Sequence, residues 1–231
     1  MKILAVDTST ASGSIAILDG ARVMAEWTLL SSQTHNRLLL KRIDFLLNEL
    51  GWGFEQVEAF AVTTGPGSFT GLRIGLTTVK TLAWATGKPF VGIPSLDALA
   101  APLGYAAHPV CPLLDARKSE IYFAVYQPDG RGAVQRRSSF QVDSPQRIVE
   151  KITGPTIFCG DGWSLCAELF SKELGGWALA APAPFHFVRA ALVGELARER
   201  LLDQEAENPL TATPLYVRPS EAEMRHPRPA T

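Results

Sequence analysis

Two stretches of this chain echo each other at about half its length. Residues 1–20, "MKILAVDTSTASGSIAILDG", read as an apolar strand ending in Asp7, a polar turn, a second apolar strand and an Asp19-Gly20 turn. Residues 108–130, "HPVCPLLDARKSEIYFAVYQPDG", follow the same order, with Asp115 ending the first strand and Asp129-Gly130 closing the second. Short connections between apolar runs pair neighbouring strands antiparallel. A chain opened twice by the same unit is read as two related parts, and 231 residues are enough for two. The boundary falls near Gly104, giving residues 1–104 and 105–231.

After each unit the pattern turns helical. In the first half "ARVMAEWTLL" adds a third strand to an antiparallel meander, and Thr34 to Leu50 reads as a helix closed by Gly51. "VEAFAVTTGPG" is an apolar strand, Thr70 to Thr86 a second helix stopped by Gly87, "PFVGIPS" a buried strand and "LDALAAPLG" a short helix. In the second half "TIFCGDGW" runs from a strand through a glycine turn into a helix, and "FHFVRAALVGELARERLL" is amphipathic. A Pro-rich, extended tail from about residue 208 is expected to fray after Met224. This outline resembles the two-lobed α/β fold of actin, the sugar kinases and Hsp70 (ASKHA), with mixed sheets flanked by helices. In that fold the two Asp-bearing turns face each other across a cleft that holds nucleotide phosphates.

Bulk properties exclude several functions. A formal net charge of −1 leaves no positive surface large enough to bind nucleic acid strongly, so any role on RNA is expected to rely on positive surface supplied by another molecule. Three cysteines, an odd number with no CxxC pair, argue against a disulfide framework or a structural zinc site and for buried free thiols in a reducing compartment. The first residues turn polar too soon for a signal peptide, and no apolar run approaches the roughly 20 residues of a membrane span. A cytoplasmic location is expected, with no membrane contact.

The stretch "TTGPGSFTGLRIGLTTVK", Thr63 to Lys80, runs a glycine-rich loop into a helix, as a phosphate-binding loop would. Ser68 or Thr70 can cap that helix by accepting a backbone N–H. On a helical wheel Gly71, Gly75, Thr78 and Leu82 share a narrow stripe, with Leu72, Leu76, Val79 and Ala83 beside it. Arg73, Thr77, Lys80, Thr81 and Trp84 make up the remaining face. Glycines four apart let another backbone come close. Gly65, Gly67, Gly71 and Gly75 are therefore read as packing devices that shape a helix, and not as phosphate ligands.

"ILAVDTSTASGSIAIL", "GPGSFTGLRIGL", "KPFVGIPSLDALA", "LLDARKSEIYFAVY" and "PLYVR" together resemble the TsaB (YeaZ) family over nearly the whole chain. The resemblance implies an accessory protein of bacterial tRNA threonylcarbamoyladenosine (t6A) synthesis, a non-catalytic paralogue of the enzyme TsaD. It implies pairing with TsaD and help in recruiting the ATPase TsaE, so that threonylcarbamoyl is transferred to adenosine 37 of ANN-reading tRNAs. TsaD carries a metal-binding HxxxH pair just after the strand that follows its glycine loop. Here that stretch is "GIPSLDALA", and the four histidines, His35, His108, His186 and His226, show no ligand spacing. No metal, cofactor or catalytic set is expected.

Asp7, Thr8 and Ser9 stand at the first expected phosphate turn, and Asp115 with Arg117 and Lys118 at the second. Active members of the fold have glycine-rich turns there, because backbone N–H groups must approach the phosphates. "DARKSE" has no glycine, and Asp161 interrupts "CGDGW" where the enzyme relative has a plain glycine run. The turns read as vestigial, with Asp7 and Asp115 as turn-capping carboxylates. The alternative function is an ATP-dependent phosphotransferase or ATPase acting in the interlobe cleft.

The first helix has a broad core face of Leu39, Leu40, Ile43, Leu46, Leu47 and Leu50. Leu38 and Phe45 lie on the opposite side, framed by Lys41, Arg42 and Glu49. They are either two stray exposed apolar residues or a second docking stripe. In the family the two helices of the first lobe bundle with matching helices of TsaD. The resemblance thus implies a partner face of Leu38, Arg42, Phe45, Arg73 and Trp84, with Lys80 at its rim. Without TsaD the same surface is expected to pair with itself as a homodimer.

Overall fold

The computed structural model describes residues 1–30 and 38–218. Its first sheet holds β1 (Lys2–Asp7), β2 (Ser12–Asp19), β3 (Arg22–Leu30), β4 (Ala59–Gly65) and β5 (Phe90–Pro94), in the order β3-β2-β1-β4-β5. β1, β2 and β3 form the expected antiparallel meander, and β1, β4 and β5 run parallel. The second sheet holds β6 (Val110–Arg117), β7 (Glu120–Phe123), β8 (Tyr126–Pro128), β9 (Val134–Arg136), β10 (Gln141–Asp143), β11 (Thr156–Cys159) and β12 (Ala178–Ala180). Its main path is β10-β7-β6-β11-β12. Position for position this repeats the first sheet, with two antiparallel pairings followed by two parallel ones. The echo between the two opening stretches is thus the trace of one topology used twice. One detail differs. "EIYFAVYQPDG", read as one strand, breaks after Phe123, and β8 leaves β7 to pair with β6 and β9.

Helices cover both faces of the first sheet, so β1 and β2 are buried almost throughout and read as continuous apolar runs. On one face lie α1 (Leu39–Glu49) and α2 (Phe69–Thr86), whose Ile43, Leu46, Leu47, Leu76, Val79 and Ala83 share a core with Leu4, Val6, Ile17 and Phe60. α1 is followed by Gly51 and α2 is closed by Gly87, both in the left-handed conformation, where the expected stops lie. The expected α1 start at Thr34 and the fraying after Met224 lie outside the described residues.

The other face carries α3 (Ser95–Ala100) and α6 (Ala190–Leu202). A core here contains Ile3, Ala5 and Leu18 from the first sheet and Val110, Leu114 and Cys159 from the second, so the two parts share one interior. The second sheet also packs Cys111, Phe123 and Phe158 against α4 (Pro145–Val149) and α5 (Trp163–Leu174).

The division at Gly104 needs one correction. α6 packs on β1, β2, β4 and β5, and the tail after it returns to the first sheet, where Glu207 bridges Phe90 and Leu215 N–H donates to the Thr64 carbonyl at 2.7 Å. Residues 190–216, expected in the second part, therefore lie on the first. The small residues Ala190, Ala191, Gly194 and Ala197 form the buried face that seats α6 there. No helix among the described residues is long and apolar enough to cross a membrane.

Candidate functional site

The glycine loop enters α2 through a cis Gly65-Pro66 bond, and Ser68 Oγ caps the helix by accepting from Gly71 N–H at 3.2 Å. The helix lies hard against the first Asp-bearing turn. A Cβ on Gly71 would strike the Thr8 carbonyl oxygen, one on Gly75 the Thr8 hydroxyl, and one on Gly67 the Ser9 carbonyl. Thr8 donates its hydroxyl to the Gly71 carbonyl at 2.7 Å, and Ser68 N–H donates to the Ser9 carbonyl at 2.7 Å. What the missing side chains admit is the chain itself, backbone at Gly67 and Gly71 and the Thr8 hydroxyl at Gly75, and Gly65 in the same way faces the Leu215 carbonyl.

That packing seals the first turn. Asp7 and Thr8 are fully buried and stand outside the cleft lining. Asp7 Oδ1 accepts from the Ser9 N–H, the Ser9 hydroxyl and the Thr63 hydroxyl, at 3.0, 2.6 and 2.7 Å. Burial pushes its carboxyl up to about 6, against these hydrogen bonds, which lower it. Of the three residues of this turn, Ser9 alone reaches the cleft.

The cleft lies between the two parts and encloses about 600 Å³. One wall is Ser9, Thr10, Gly67, Ser68, Phe69 and Thr70; the facing wall includes Asp115, Arg117, Lys118, Asp161 and Leu165. Asp115 does reach it, pairing with Arg117 at 3.1 Å and accepting the Arg117 N–H at 2.7 Å. Asp161 Oδ1 accepts the Asp115 N–H at 3.1 Å, and burial raises its carboxyl above the usual range. The second turn makes its tight hairpin without glycine by holding Arg117, Lys118 and Ser119 at φ of 65, 54 and 60°. The side chains of Arg117 and Lys118 line the cleft, where a glycine turn would leave space to a ligand.

The tail completes the cleft rim. Tyr216 stacks on Phe69 with ring centres 5.4 Å apart and accepts a hydrogen bond from Arg73 Nε at 3.1 Å. Arg218 forms an ion pair with Glu120 across the cleft. The "PLYVR" run carries part of the family resemblance, with no structural role expected of it. The partners of Tyr216 and Arg218, namely Phe69, Arg73 and Glu120, lie 98 or more residues away, beyond any local pattern.

Of the expected partner face, Leu38, Phe45, Arg73 and Trp84 are exposed, and Arg42 and Lys80 are half-buried. Leu38, Phe45 and Trp84 are 42, 57 and 63% exposed, large values for apolar residues of this size. Leu40, expected in the core, is 54% exposed because it sits at the edge of the buried stripe; Leu39, Ile43, Leu46 and Leu47 fill it. Arg42 lies over the Trp27 ring at 3.9 Å and Arg73 over Phe69 at 3.8 Å. Lys80, expected at the rim, is occupied by the chain itself, donating to the carbonyls of Ala212 at 3.0 Å and Leu210 at 3.5 Å.

Comparison with known proteins bears on this arrangement. The chain is 31% identical over 228 residues to a Bacillus subtilis protein named "tRNA threonylcarbamoyladenosine biosynthesis protein TsaB", covering 97% of each. A Haemophilus influenzae protein of the same name is 31% identical over 94% of each chain. The chain belongs to the TsaB (YeaZ) family. The family model described as "TsaD: tRNA N6-adenosine threonylcarbamoyltransferase" also matches residues 29–225. The solved structure "YeaZ from Pseudomonas aeruginosa" superposes with a TM-score of 0.79 at 28% identity, covering 93% of this chain and 99% of that one. An activator of a 2-hydroxyisocaproyl-CoA dehydratase from Clostridium difficile, solved with bound ADPNP, shares the fold at a TM-score of 0.54 and 10% identity.

In this TsaB-family chain the stretch that stands where TsaD has its HxxxH pair opens α3. Ser95, Leu96 and Ala98 are buried, and Asp97 takes the hydroxyl of Tyr126 and an ion pair from Arg136. Among the described residues no group of three or more His, Cys, Asp or Glu side chains is placed to hold a metal.

Proposed function

We propose that this protein is a non-catalytic subunit of the t6A37-modifying machinery that docks TsaD through α1 and α2 and helps recruit TsaE. The observation that carries the reading is the exposed apolar set Leu38, Phe45 and Trp84 on two neighbouring helices, in a chain whose family relatives are named for t6A biosynthesis. Large exposed apolar side chains grouped on one face favour a protein partner. Arg42 and Arg73, each held over an aromatic ring, present cations beside them in fixed positions. Non-catalysis is favoured by the burial of Asp7, which keeps its carboxylate from a ligand in the cleft.

The test is threonine incorporation into unmodified tRNA, with ATP, bicarbonate, the adenylate-forming enzyme, TsaD and TsaE, with and without this chain. Incorporation that depends on the chain supports the reading; incorporation equal in its absence rejects it. A second reading, an ATP-dependent phosphotransferase or ATPase, is favoured by the size of the cleft and its basic residues Arg117 and Lys118. It requires Mg-ATP to raise the melting temperature of the isolated chain, since a ligand at 100 times its dissociation constant adds about 2.7 kcal/mol.

A further inference from the structure

We propose that the segment from Glu207 to Arg218 is a strap that sets the aperture of the interlobe cleft, with the Arg218–Glu120 ion pair as its latch. From Glu207 to Tyr216 the strap is anchored on the first part. Glu207 N–H donates to the Phe90 carbonyl at 2.8 Å, and its carboxylate takes Arg200 at 3.0 Å and the Gly92 N–H at 3.2 Å. Lys80 of α2 then holds the carbonyls of Leu210 and Ala212, and Leu215 N–H reaches the Thr64 carbonyl. Tyr216 is fixed by Phe69 and Arg73, both on α2.

Two residues later the strap changes sides. Arg218 pairs with Glu120 at the start of β7 and donates to the Ala116 carbonyl of β6 at 3.4 Å. Both belong to the second sheet, next to the turn of Arg117, Lys118 and Ser119 that forms the far wall of the cleft. The two parts are joined at the cleft floor by the shared core, where Leu114 is both core residue and cleft lining. A structure packed at one end and bridged at the other by an ion pair has a natural hinge and a natural latch. Arg218 and Glu120 are 22 and 37% exposed, so water can replace the pair when it opens.

The strap also touches α2 at Phe69, Arg73 and Lys80. A partner seated on that helix would therefore act on the latch through Tyr216; this second half rests on the docking face proposed above. Coupling of this kind needs a discrete element that both sites bias, and the strap is that element.

The experiment is a spin-label distance measurement on the full chain carrying Thr70→Cys and Glu168→Cys. Both positions are exposed, on opposite sides of the cleft, and the three native cysteines are buried. Arg218→Ala is expected to shift the distance distribution to longer values and broaden it. The exchanged pair Arg218→Glu with Glu120→Arg is expected to bring it back towards that of the unmodified latch. A distribution unchanged by Arg218→Ala overturns the latch, as does an exchanged pair that stays as open as Arg218→Ala. Glu120→Gln reads the same bond from its other side, and if Arg218→Ala does not fold, a Glu120→Gln distribution that stays closed overturns it equally. Adding TsaD is expected to change the distribution with the latch intact and to change it less in Arg218→Ala. Failure of TsaD to bind at all would reject the docking face and leave the partner-free result standing.

Discussion

Thr63 donates its hydroxyl to Asp7 Oδ1 at 2.7 Å, tying the ends of two adjacent parallel strands inside the protein. The other carboxylate oxygen, Oδ2, has no hydrogen-bond partner among the described residues. In an actin-like enzyme a carboxylate at this turn would face a ligand; here it is a buried acid whose ionisation is opposed.

Its titration sets the first expectation. Burial raises the Asp7 carboxyl from 3.8 to about 6, so the folded state holds a proton more tightly than the unfolded chain does. The associated stability is fully present below about pH 3.8 and is lost as pH rises through about 6. Asp7→Asn keeps an oxygen acceptor for Ser9 and Thr63 and removes the ionisation. The stability of the wild type relative to Asp7→Asn is expected to fall by about 2.5 kcal/mol as pH rises from about 4 to about 8. Urea unfolding of both proteins across that range measures it, and a constant difference would show that Asp7 does not titrate in the window.

The contact between α2 and the first turn sets a second expectation. Gly71→Ala drives a methyl group into the backbone carbonyl of Thr8, which is held by its strand and turn. It is expected to lose about 1–3 kcal/mol by overpacking, more than the helix gains from alanine. At Gly75 the obstacle is only the Thr8 hydroxyl; the next nearest atoms, Thr8 Cβ and Val62 Cγ2, are at 3.4 Å. Gly75→Ala is thus expected to destabilise alone and to become neutral or stabilising in a Thr8→Ala background. Thermal melts of the double-mutant cycle read this non-additivity.

The architecture was legible where local patterning and long-range packing agreed. Asp7 and Asp115, each closing an apolar strand before a second one, were enough to show the duplicated topology, and Gly51 and Gly87 marked helix ends through their left-handed backbone. The course of the tail was not legible. The apolar face of α6 says that it is buried, but not against which sheet, and its seat is chosen by the small residues Ala190, Ala191 and Gly194 fitting β1 and β2. Leu40 shows the same limit on a smaller scale. A wheel puts it next to Leu47, yet Leu47 is 1% exposed and Leu40 54%, because the sheet beneath covers only one edge of the stripe. Lys80 was legible as an exposed cation, but its carbonyl partners lie 130 and 132 residues away, beyond any local pattern.

The docking face gives a third expectation. Phe45→Arg and Leu38→Glu alter side chains that are 57 and 42% exposed and stand outside the core, so each is expected to change folding stability by no more than about 1 kcal/mol. Each is expected to abolish pairing with TsaD, because a charge placed at the centre of an apolar contact loses its water without gaining a partner. Size-exclusion chromatography of the mixed proteins, with a melting curve of each variant alone, separates lost binding from lost folding. Normal pairing by either variant places the interface elsewhere.

The hairpin between β6 and β7 gives the last. Lys118 and Ser119 are the two central residues of its turn, with φ of 54 and 60°, and Arg117 before them is also left-handed. A left-handed conformation costs a residue with a Cβ about 1–2 kcal/mol, and glycine pays little of it. Glycine at the second central position is what a tight two-residue hairpin favours. Ser119→Gly is therefore expected to stabilise the protein by about 0.5–1 kcal/mol after the extra unfolded-state entropy of glycine is deducted. The gain should appear as a higher denaturant midpoint with unchanged slope. A protein destabilised by Ser119→Gly would mean that the serine side chain holds the turn more strongly than its backbone resists it. If Ser119→Gly stabilises the chain and leaves threonine incorporation intact, glycine at that position is not what the family's role excludes. If it stabilises the chain and impairs incorporation, the rigid left-handed turn facing the cleft is itself used in function.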